Sequence, residues 1–493
     1  MKQLRSNRHI SFRRKSLAHI TDVMIDPERF LEHEQPRVRP SQLRARHIGR
    51  HSCSVRNRQF HFIFHNCRFT HKNSLDLGMI CRSAHSPRLR FLILSLAQTP
   101  FPARTPTRKN AKVVGPSYRP DFIEIMSAPN SNFVRACNSQ PVDRTPVWFM
   151  RQAGRYMPEY RAVRKQHSLL EICKKPELAA EVTITAAEFL GVDAAIIFAD
   201  LLLPLEVMGL PFHFSAGEGP VIERPVRSRE DVAQLRTDRA AELGYVSEAV
   251  ALVAKHFAGR LPVIGFCGAP FTLASYMIEG GGSRHYLHAK KMMYNSPTYW
   301  DELMRKLVDV TAEYSAAQVR AGADVIQIFD SWVGCLSVED YRRYVLPHVS
   351  SLVKRLQKTG APIIYFGTDS STLLPAMNET GAEVIGLDWR IPLDKGWSDL
   401  GHRCAVQGNL DPVLLFADWK ELKSRAENIL QLAAGRPGHI FNLGHGILPE
   451  TPVENVKNLA RFVQEYSATT STSGSRKAPS TSLRAGSAGS RVP

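Results

Sequence analysis

Polar side chains that can bind or stabilise charge stand directly after short apolar segments of the sequence. Guanidinium groups bind carboxylates through paired hydrogen bonds. A carboxylate can stabilise a cation, and phenol, hydroxyl and imidazole groups can exchange hydrogen bonds with a ligand. The residues of interest are Arg151, Gln152, Ala153, Gly154, Arg155, Asp200, Tyr276, Ser331 and His445. No lysine follows any of these apolar segments, which disfavours a Schiff-base aldolase.

The elements that must position these residues are eight apolar runs, which amphipathic helical stretches separate. Near-continuous apolar strands that alternate with helices are typical of a parallel sheet covered by helices. Eight such units in roughly 330 residues predict an α/β fold, a single-domain (β/α)8 TIM barrel, with a doubly wound open sheet as the alternative. The runs are Val147–Met150, Ala194–Ala199, Pro262–Phe266, Asp324–Phe329, Pro362–Phe366, Glu383–Asp388, Ala405–Leu410 and His439–Leu443.

The barrel prediction also places the site. Active sites of this fold lie on the loops that follow the strands, at the C-terminal end of the barrel. We therefore expect the polar residues that follow the runs to converge on one mouth.

The net charge of the chain is concentrated at its two ends. The whole chain has a formal charge of +18, with 43% hydrophobic and 22% charged residues. Residues 1–125 hold 24 basic and 8 acidic residues, and residues 468–493 hold 4 basic and none acidic. The remaining 36 basic and 38 acidic residues give the middle a net charge of −2. A basic nucleic-acid-binding surface is therefore not expected on the barrel.

Both ends are expected to lie outside the folded unit. Residues 1–125 show no sustained periodicity, and 126–139 form a lead-in to a barrel over 140–466. A basic arm for nucleic acid or acidic lipid and an organelle transit peptide remain alternatives for 1–125. We favour a third interpretation, that the native product starts at Met126; otherwise the extension is expected to be disordered. The Ser/Thr/Gly-rich segment 467–493 is also expected to be disordered.

The cysteines and the hydropathy both favour a cytoplasmic protein. The eight cysteines form no CxxC motif, which favours reduced thiols over a disulfide framework. No apolar run approaches the ~20 residues that cross a bilayer, and the run FLILSLA at 91–97 is short. We therefore expect no membrane association.

Four segments carry a family resemblance. PVWFMRQAGRYMPEYR (146–161), GFCGAPFTLASYMIEGGG (265–282), QGNLDP (407–412) and FNLGHGILPET (441–451) resemble segments of the uroporphyrinogen decarboxylases. The resemblance extends over essentially all of 140–466. It implies an enzyme that converts the four acetate side chains of uroporphyrinogen III to methyl groups without a cofactor or metal, giving coproporphyrinogen III. It also implies a homodimer.

The resemblance further implies roles for the site residues. Asp200 would accept hydrogen bonds from pyrrole N–H groups and stabilise a cationic intermediate. Arg151 and Arg155, with the intervening Gln152, Ala153 and Gly154, would bind substrate carboxylates, and either arginine could deliver the proton. The remaining pocket residues would be Tyr276, Ser331 and His445.

Each of these residues also has a purely structural interpretation. Asp200 or Ser331 could cap a following helix, and the two arginines could form salt bridges with a helix. Tyr276 and His445 could be ordinary partly buried side chains. The Gly280–Gly282 run is expected to give the loop conformational freedom, since it lacks the GxGxxG context of a phosphate site.

Two other functions are alternatives for this sequence. A zinc- or corrinoid-dependent methyltransferase could use the same barrel, but it would place thiol and imidazole ligands after strands. The only HxC in the barrel, His402–Cys404, precedes a strand. A nucleic-acid-binding protein could work through the basic residues of 1–125, although these form only a diffuse excess of positive charge.

Overall fold

The structure is a computed structural model that describes Ala128, residues 130–215 and residues 219–473. The predictions made for residues 1–125, for Met126 as a start and for 474–493 lie outside these residues. The last described helix continues past Tyr466 to Ser473. Within it, Ser467 is buried and accepts a hydrogen bond from the Thr145 N–H at 3.0 Å.

Helices and strands alternate through the described chain. The strands are β1 Ala195–Ile196, β2 His213–Ser215, β3 Gly219–Val221, β4 Val263–Gly268, β5 Val325–Asp330, β6 Ile363–Gly367, β7 Val384–Gly386, β8 Ala405–Gln407 and β9 His439–Ile440. The helices are α1 Asn132–Cys137, α2 Pro158–Gln166, α3 Leu169–Lys174, α4 Pro176–Leu190, α5 Leu203–Val207, α6 Arg229–Gln234, α7 Gly244–Phe257, α8 Pro270–Glu279, α9 Leu287–Asn295, α10 Pro297–Arg320, α11 Val338–Tyr344, α12 Leu346–Gln357, α13 Leu374–Asn378, α14 Leu393–Asp399, α15 Trp419–Ala433 and α16 Val453–Ser473.

Seven strands form one parallel sheet in the order β1-β4-β5-β6-β7-β8-β9. Each pairs with the next in parallel register, for example Ile326 with Ile363 and Val406 with His439. Both faces of a parallel sheet are covered, and its strands are therefore short, apolar and joined by helical crossovers, as they are here. The predicted α/β barrel is confirmed.

The first predicted strand contributes only a single bridge. Val147 pairs in parallel with Phe441, and its carbonyl accepts the Asp193 N–H at 2.7 Å. This segment therefore joins β9 to the start of β1. Its ladder is short because side-chain oxygens take backbone donors: Asp193 Oδ2 accepts the Val147 N–H, and Asn442 Oδ1 accepts the Met150 N–H.

Local sequence explains the other differences from the predicted elements. The pattern of apolar residues over 229–257 predicts one helix, but the structure divides this stretch into α6 and α7, and Ser228 starts α6 with a capping box. The hairpin β2–β3 was not predicted, since its strands are three residues each. Gly280 adopts φ +90° and ends α8 in the left-handed conformation that glycine favours.

The barrel interior contains a polar layer within an apolar core. The buried Trp148 Nε1–H donates to Gln407 Oε1 at 2.9 Å, and Gln407 Nε2 donates to Gln327 Oε1 at 3.2 Å. These bonds satisfy polar groups that would be costly to bury alone.

None of the helices in the described segments has both the length and the apolar character that a bilayer crossing requires.

Candidate active site

The structure places the predicted polar residues at one end of the barrel. Arg151 follows the Val147 segment, Asp200 follows β1, Ser331 follows β5 and His445 follows β9, while Tyr276 lies on α8 directly after β4. Because the strands are parallel, these positions share the C-terminal mouth.

Arg151 is held by its backbone in an unusual conformation. Its φ is +60°, which is uncommon for a residue other than glycine. Bonds on both sides fix it there: Met150 donates its N–H to Asn442 and accepts the Ile447 N–H at 3.0 Å, and Gln152 donates its N–H to the Phe149 carbonyl at 3.0 Å. Strain of this kind persists where the surrounding structure over-determines it, often at functional sites. The loop after β9 thus directs the Arg151 side chain into the mouth.

Arg151, Asp200 and Tyr276 form one electrostatic cluster. Burial lowers the pKa of Arg151, and the nearby charges of Tyr276 and Asp200 oppose that change. Arg151 nevertheless remains exposed to solvent. Protein atoms surround the side chain while solvent still reaches it, as is typical of a concave pocket.

Asp200 is a carboxylate that titrates close to neutrality. Burial raises its pKa to about 6, while the Leu202 N–H bond and the Arg151 charge act in the opposite direction. Its Oδ1 accepts the Leu202 N–H at 2.8 Å. The residue does not cap α5, whose N-cap is Leu202 and has no side-chain cap bond. No hydrogen bond within the described residues uses Oδ2, so this atom is available to a ligand.

Tyr276 forms the third member of the cluster. Burial and the Asp200 charge both raise the pKa of Tyr276, while the Arg151 charge lowers it. The phenol therefore stays protonated at neutral pH. Its ring meets the Trp332 ring edge-on, with centroids 5.5 Å apart.

Arg155 is half-buried on the turn that follows Arg151. Burial raises the pKa of Tyr160 to about 12, and the Arg164 and Arg155 charges oppose this. The Tyr160 ring lies 5.3 Å from the Phe198 ring, next to the loop that contains Asp200. The turn between Arg151 and Arg155 needs a small residue at position 154, because a β-carbon at Gly154 would stand 3.0 Å from the Arg151 carbonyl oxygen.

Gln152 and Ala153 do not present side-chain groups to this cluster. Gln152 is fully buried, donates to the Ala194 carbonyl at 3.1 Å and accepts the Phe149 N–H at 3.3 Å. Ala153 is half-buried and packs against the apolar core. The Gln152 side chain joins the first segment to β1 and positions its neighbours, which leaves the backbone of this turn as the part that can contact substrate.

Ser331 is half-buried at the mouth, and a buried carboxylate supports its loop. Its carbonyl accepts a hydrogen bond from Thr368 Oγ1. It caps no helix, since the short 3-10 turn after it starts from Trp332 without a side-chain cap.

The neighbouring Asp330 is fully buried and accepts bonds from Thr272 Oγ1 at 2.7 Å and the Tyr365 hydroxyl at 2.8 Å. Asp330 thus positions the loop and does not face the mouth.

His445 lies near two arginines. Burial and the charges of Arg151 and Arg390 lower its pKa to about 3. The imidazole is therefore neutral at physiological pH and can hydrogen-bond without adding charge. The loop of His445 approaches the loop after β7 closely, because a β-carbon at Gly444 would stand 2.4 Å from the Trp389 backbone nitrogen.

Arg390 is the residue at the mouth that the sequence analysis missed. It follows β7 by four positions, and its Nε lies 2.7 Å from Asp369 Oδ1 while Nη1 lies 3.0 Å from Asp388 Oδ2. The available signal was its position immediately after the strand-end pair Asp388 and Trp389.

The HxC pair lies at the other end of the barrel. His402 and Cys404 precede β8, and Cys404 is buried. Among the residues that the structure describes, no group of three His, Cys, Asp or Glu side chains could hold a metal ion.

Comparison with known proteins identifies the family. The solved structure of a methyltransferase from Methanosarcina mazei shares the fold at 21% identity, with a TM-score of 0.56 over 68% of this chain and 99% of that one. The uroporphyrinogen decarboxylase of Koribacter versatilis is 77% identical over 343 residues, which is 69% of this chain and 98% of the relative. That of Solibacter usitatus is 55% identical over 336 residues, 68% of this chain and 97% of the relative. Residues 128–466 match the family model described as uroporphyrinogen decarboxylase, and the chain belongs to that family.

Proposed function

We propose that this chain decarboxylates the four acetate side chains of uroporphyrinogen III and yields coproporphyrinogen III in tetrapyrrole biosynthesis. The observation that supports the proposal best is the placement of Asp200, Arg151 and Tyr276 at one mouth, close enough for each to shift the pKa of another. Family membership identifies the reaction class, and this cluster supplies groups suited to it.

The chemistry needs a proton and a stabilised cation. Protonation of a pyrrole carbon makes the ring an electron sink. The bond between the acetate methylene and its carboxylate then breaks, and the electron pair enters the ring as CO2 leaves. A second proton converts the exocyclic methylene to a methyl group, and the ring carbon loses the first proton. The net change consumes one proton and releases one CO2 for each acetate, so the electron flow requires neither metal nor cofactor.

Asp200 is the group that stabilises this cation. Its available Oδ2 accepts pyrrole N–H donors, which favour the ionised carboxylate and lower its pKa from about 6 when substrate binds. A fixed carboxylate in a partly dehydrated mouth stabilises developing positive charge more strongly than water does.

The remaining residues hold the substrate. Arg151 and Arg155 bind carboxylates, and Arg151 is near enough to Asp200 for its charge to act on that carboxyl group. Tyr276, Ser331 and the neutral His445 complete the pocket as hydrogen-bonding groups. Arg151 is a candidate proton donor because burial lowers its pKa.

The working unit is the barrel over 140–466, with 126–139 as its lead-in and the segments 1–125 and 467–493 as extensions. We propose that it acts as a homodimer in the cytoplasm, independently of nucleic acid and membranes. The small-molecule substrate is then its principal partner.

The proposal is tested by incubating the purified chain with uroporphyrinogen III under reducing, oxygen-free conditions. Oxidation of the products and chromatography resolve porphyrins with seven, six, five and four carboxylates. Stepwise appearance of all four supports the function, whereas recovery of unchanged substrate from folded protein contradicts it. A deletion of residues 1–125 addresses the extension separately.

A further inference from the structure

Arg390 is a rigidly held guanidinium at the mouth. The loop after β6 supplies Asp369, which binds Nε at 2.7 Å, and the loop after β7 supplies Asp388, which binds Nη1 at 3.0 Å. The guanidinium carbon also lies 3.9 Å from the centroid of the Trp389 ring. Three contacts from two strand ends therefore fix its orientation.

Asp388 connects this arrangement to the backbone. Its side chain is 1% exposed, and its oxygens also accept the N–H groups of Asp369 and Arg390. A buried carboxylate needs hydrogen-bond donors for its oxygens, and these N–H groups supply them. Asp388 therefore anchors both loops and the arginine together.

The anchoring leaves part of the guanidinium available. An arginine has five N–H donors, and within the described residues Arg390 makes one hydrogen bond, from Nη1 to Asp388, and an ion pair between Nε and Asp369. Its side chain is 39% exposed. An ion pair with a purely structural role would not require these remaining donors to face solvent.

The exposed part of Arg390 faces the same mouth as the proposed catalytic cluster. Its charge acts on His445 together with that of Arg151, so both guanidiniums lie near this imidazole. The close contact of Gly444 with the Trp389 backbone brings the loops of His445 and Arg390 together.

We propose that Arg390 binds a peripheral carboxylate of the tetrapyrrole substrate, one that does not leave during the step in progress, at the part of the mouth formed by the loops after β6 and β7. This inference rests on the proposed function. A substrate with eight carboxylates has more anionic groups than Arg151 and Arg155 can bind, and a pre-oriented guanidinium binds a carboxylate with little loss of side-chain entropy. The adjacent Asp369 and Asp388 balance the charge of Arg390 when the site is empty.

The role predicts a specific split in the kinetics. Binding that is equally strong in the ground state and the transition state changes KM and leaves kcat unaltered. Loss of a charged hydrogen bond of this type corresponds to a factor of about 10 to 100 in affinity. In Arg390→Gln we therefore expect KM for uroporphyrinogen to rise about tenfold or more, with kcat within about twofold of the wild type.

Two further variants make the test specific. Arg403→Gln removes an exposed arginine that precedes β8 at the opposite end of the barrel, and it should keep the wild-type KM. Arg390→Lys keeps the charge but lacks the planar fork, so its KM should rise less than that of Arg390→Gln but remain above that of the wild type. This variant decides the question if Arg390→Gln does not fold, which thermal unfolding reveals.

The outcomes separate the two proposals. If the folded wild type does not decarboxylate uroporphyrinogen, the proposed function fails, and this inference with it. If the wild type is active but both Arg390 variants keep its KM, only this inference is overturned. Equal losses in kcat and kcat/KM at an unchanged KM would also overturn it, because Arg390 would then act on the chemical step.

Discussion

The side chain of Arg151 lies directly over Gly446. A β-carbon at position 446 would stand 2.5 Å from Arg151 Cδ and 2.7 Å from its Cγ. Contacts this short do not occur, so any side chain at 446 must move the arginine. The glycine after His445 thus sets the position of the guanidinium that faces Asp200.

We expect Gly446→Ala to reduce kcat/KM by about 100-fold, because a displacement of about 1 Å in a positioning group costs that much. Steady-state kinetics with uroporphyrinogen measure the loss. Gly244→Ala is the matched control: Gly244 begins α7, and a β-carbon there meets nothing within 4 Å. Full activity in folded Gly446→Ala would show that the position of Arg151 does not limit the reaction.

The raised pKa of Asp200 predicts an acid limb in the pH profile. With a pKa of about 6, the carboxylate is ionised above pH 6 and protonated below it. The neutral acid cannot stabilise the ring cation, so kcat/KM should fall as pH decreases through about 6. Pyrrole donors favour the ionised form in the complex, so the corresponding limb in kcat should lie at lower pH.

Asp330 provides the control for this assignment. Burial raises its pKa to about 6 as well, but its oxygens bond to Thr272 and Tyr365. In Asp330→Asn the acid limb should remain near pH 6. Disappearance of the limb in that variant would transfer the titration from Asp200 to Asp330.

The acid stability of the barrel should depend on His439. Burial lowers its pKa to about 4, whereas the unfolded chain has the ordinary value near 6.5. The unfolded state therefore binds the proton first as pH falls. The stabilisation is fully present above pH 6.5 and is lost as pH decreases from 6.5 towards 4, by about 3 kcal/mol in total. His445, whose pKa is also lowered, contributes in the same direction.

Urea unfolding at a series of pH values measures this slope. We expect His439→Gln to flatten it, since glutamine does not titrate and its amide can still donate to the Gly408 carbonyl, which lies 3.1 Å from His439 Nε2. An unchanged slope between pH 6.5 and 4 would exclude His439 as a source of acid sensitivity.

The extension should be dispensable for catalysis. A chain of residues 126–493 retains every residue assigned to the mouth, and we expect its kcat/KM to lie within about twofold of that of the full chain. The same chromatographic assay compares the two proteins. A large loss on removing 1–125 would give the basic segment a role in the enzyme.

The residues at the mouth could be predicted from the sequence because, in a parallel barrel, every residue that directly follows a strand lies at the same end of the barrel. Asp200, Ser331 and His445 follow apolar runs, and parallel strands necessarily bring such positions to one end. The fold prediction depended on the same alternation of strands and helices.

Features that depend on the orientation of side chains could not be predicted from the sequence. Gln152 stands at a strand end, but its amide turns inward to Ala194. Arg390 gains its role from Asp369 and Asp388, which approach it from two different strand ends. The first strand is only a bridge because the Asp193 and Asn442 side chains replace backbone partners, and no local pattern reveals that.

The most direct test of the central claim is the turnover of uroporphyrinogen by variants at position 200. The account requires an ionised carboxylate there, beside Arg151 and Tyr276. We predict that Asp200→Ala reduces kcat by at least about 100-fold, as expected when preorganised electrostatic stabilisation is removed, and that Asp200→Glu retains measurable activity. Wild-type rates of coproporphyrinogen formation by folded Asp200→Ala would contradict the account.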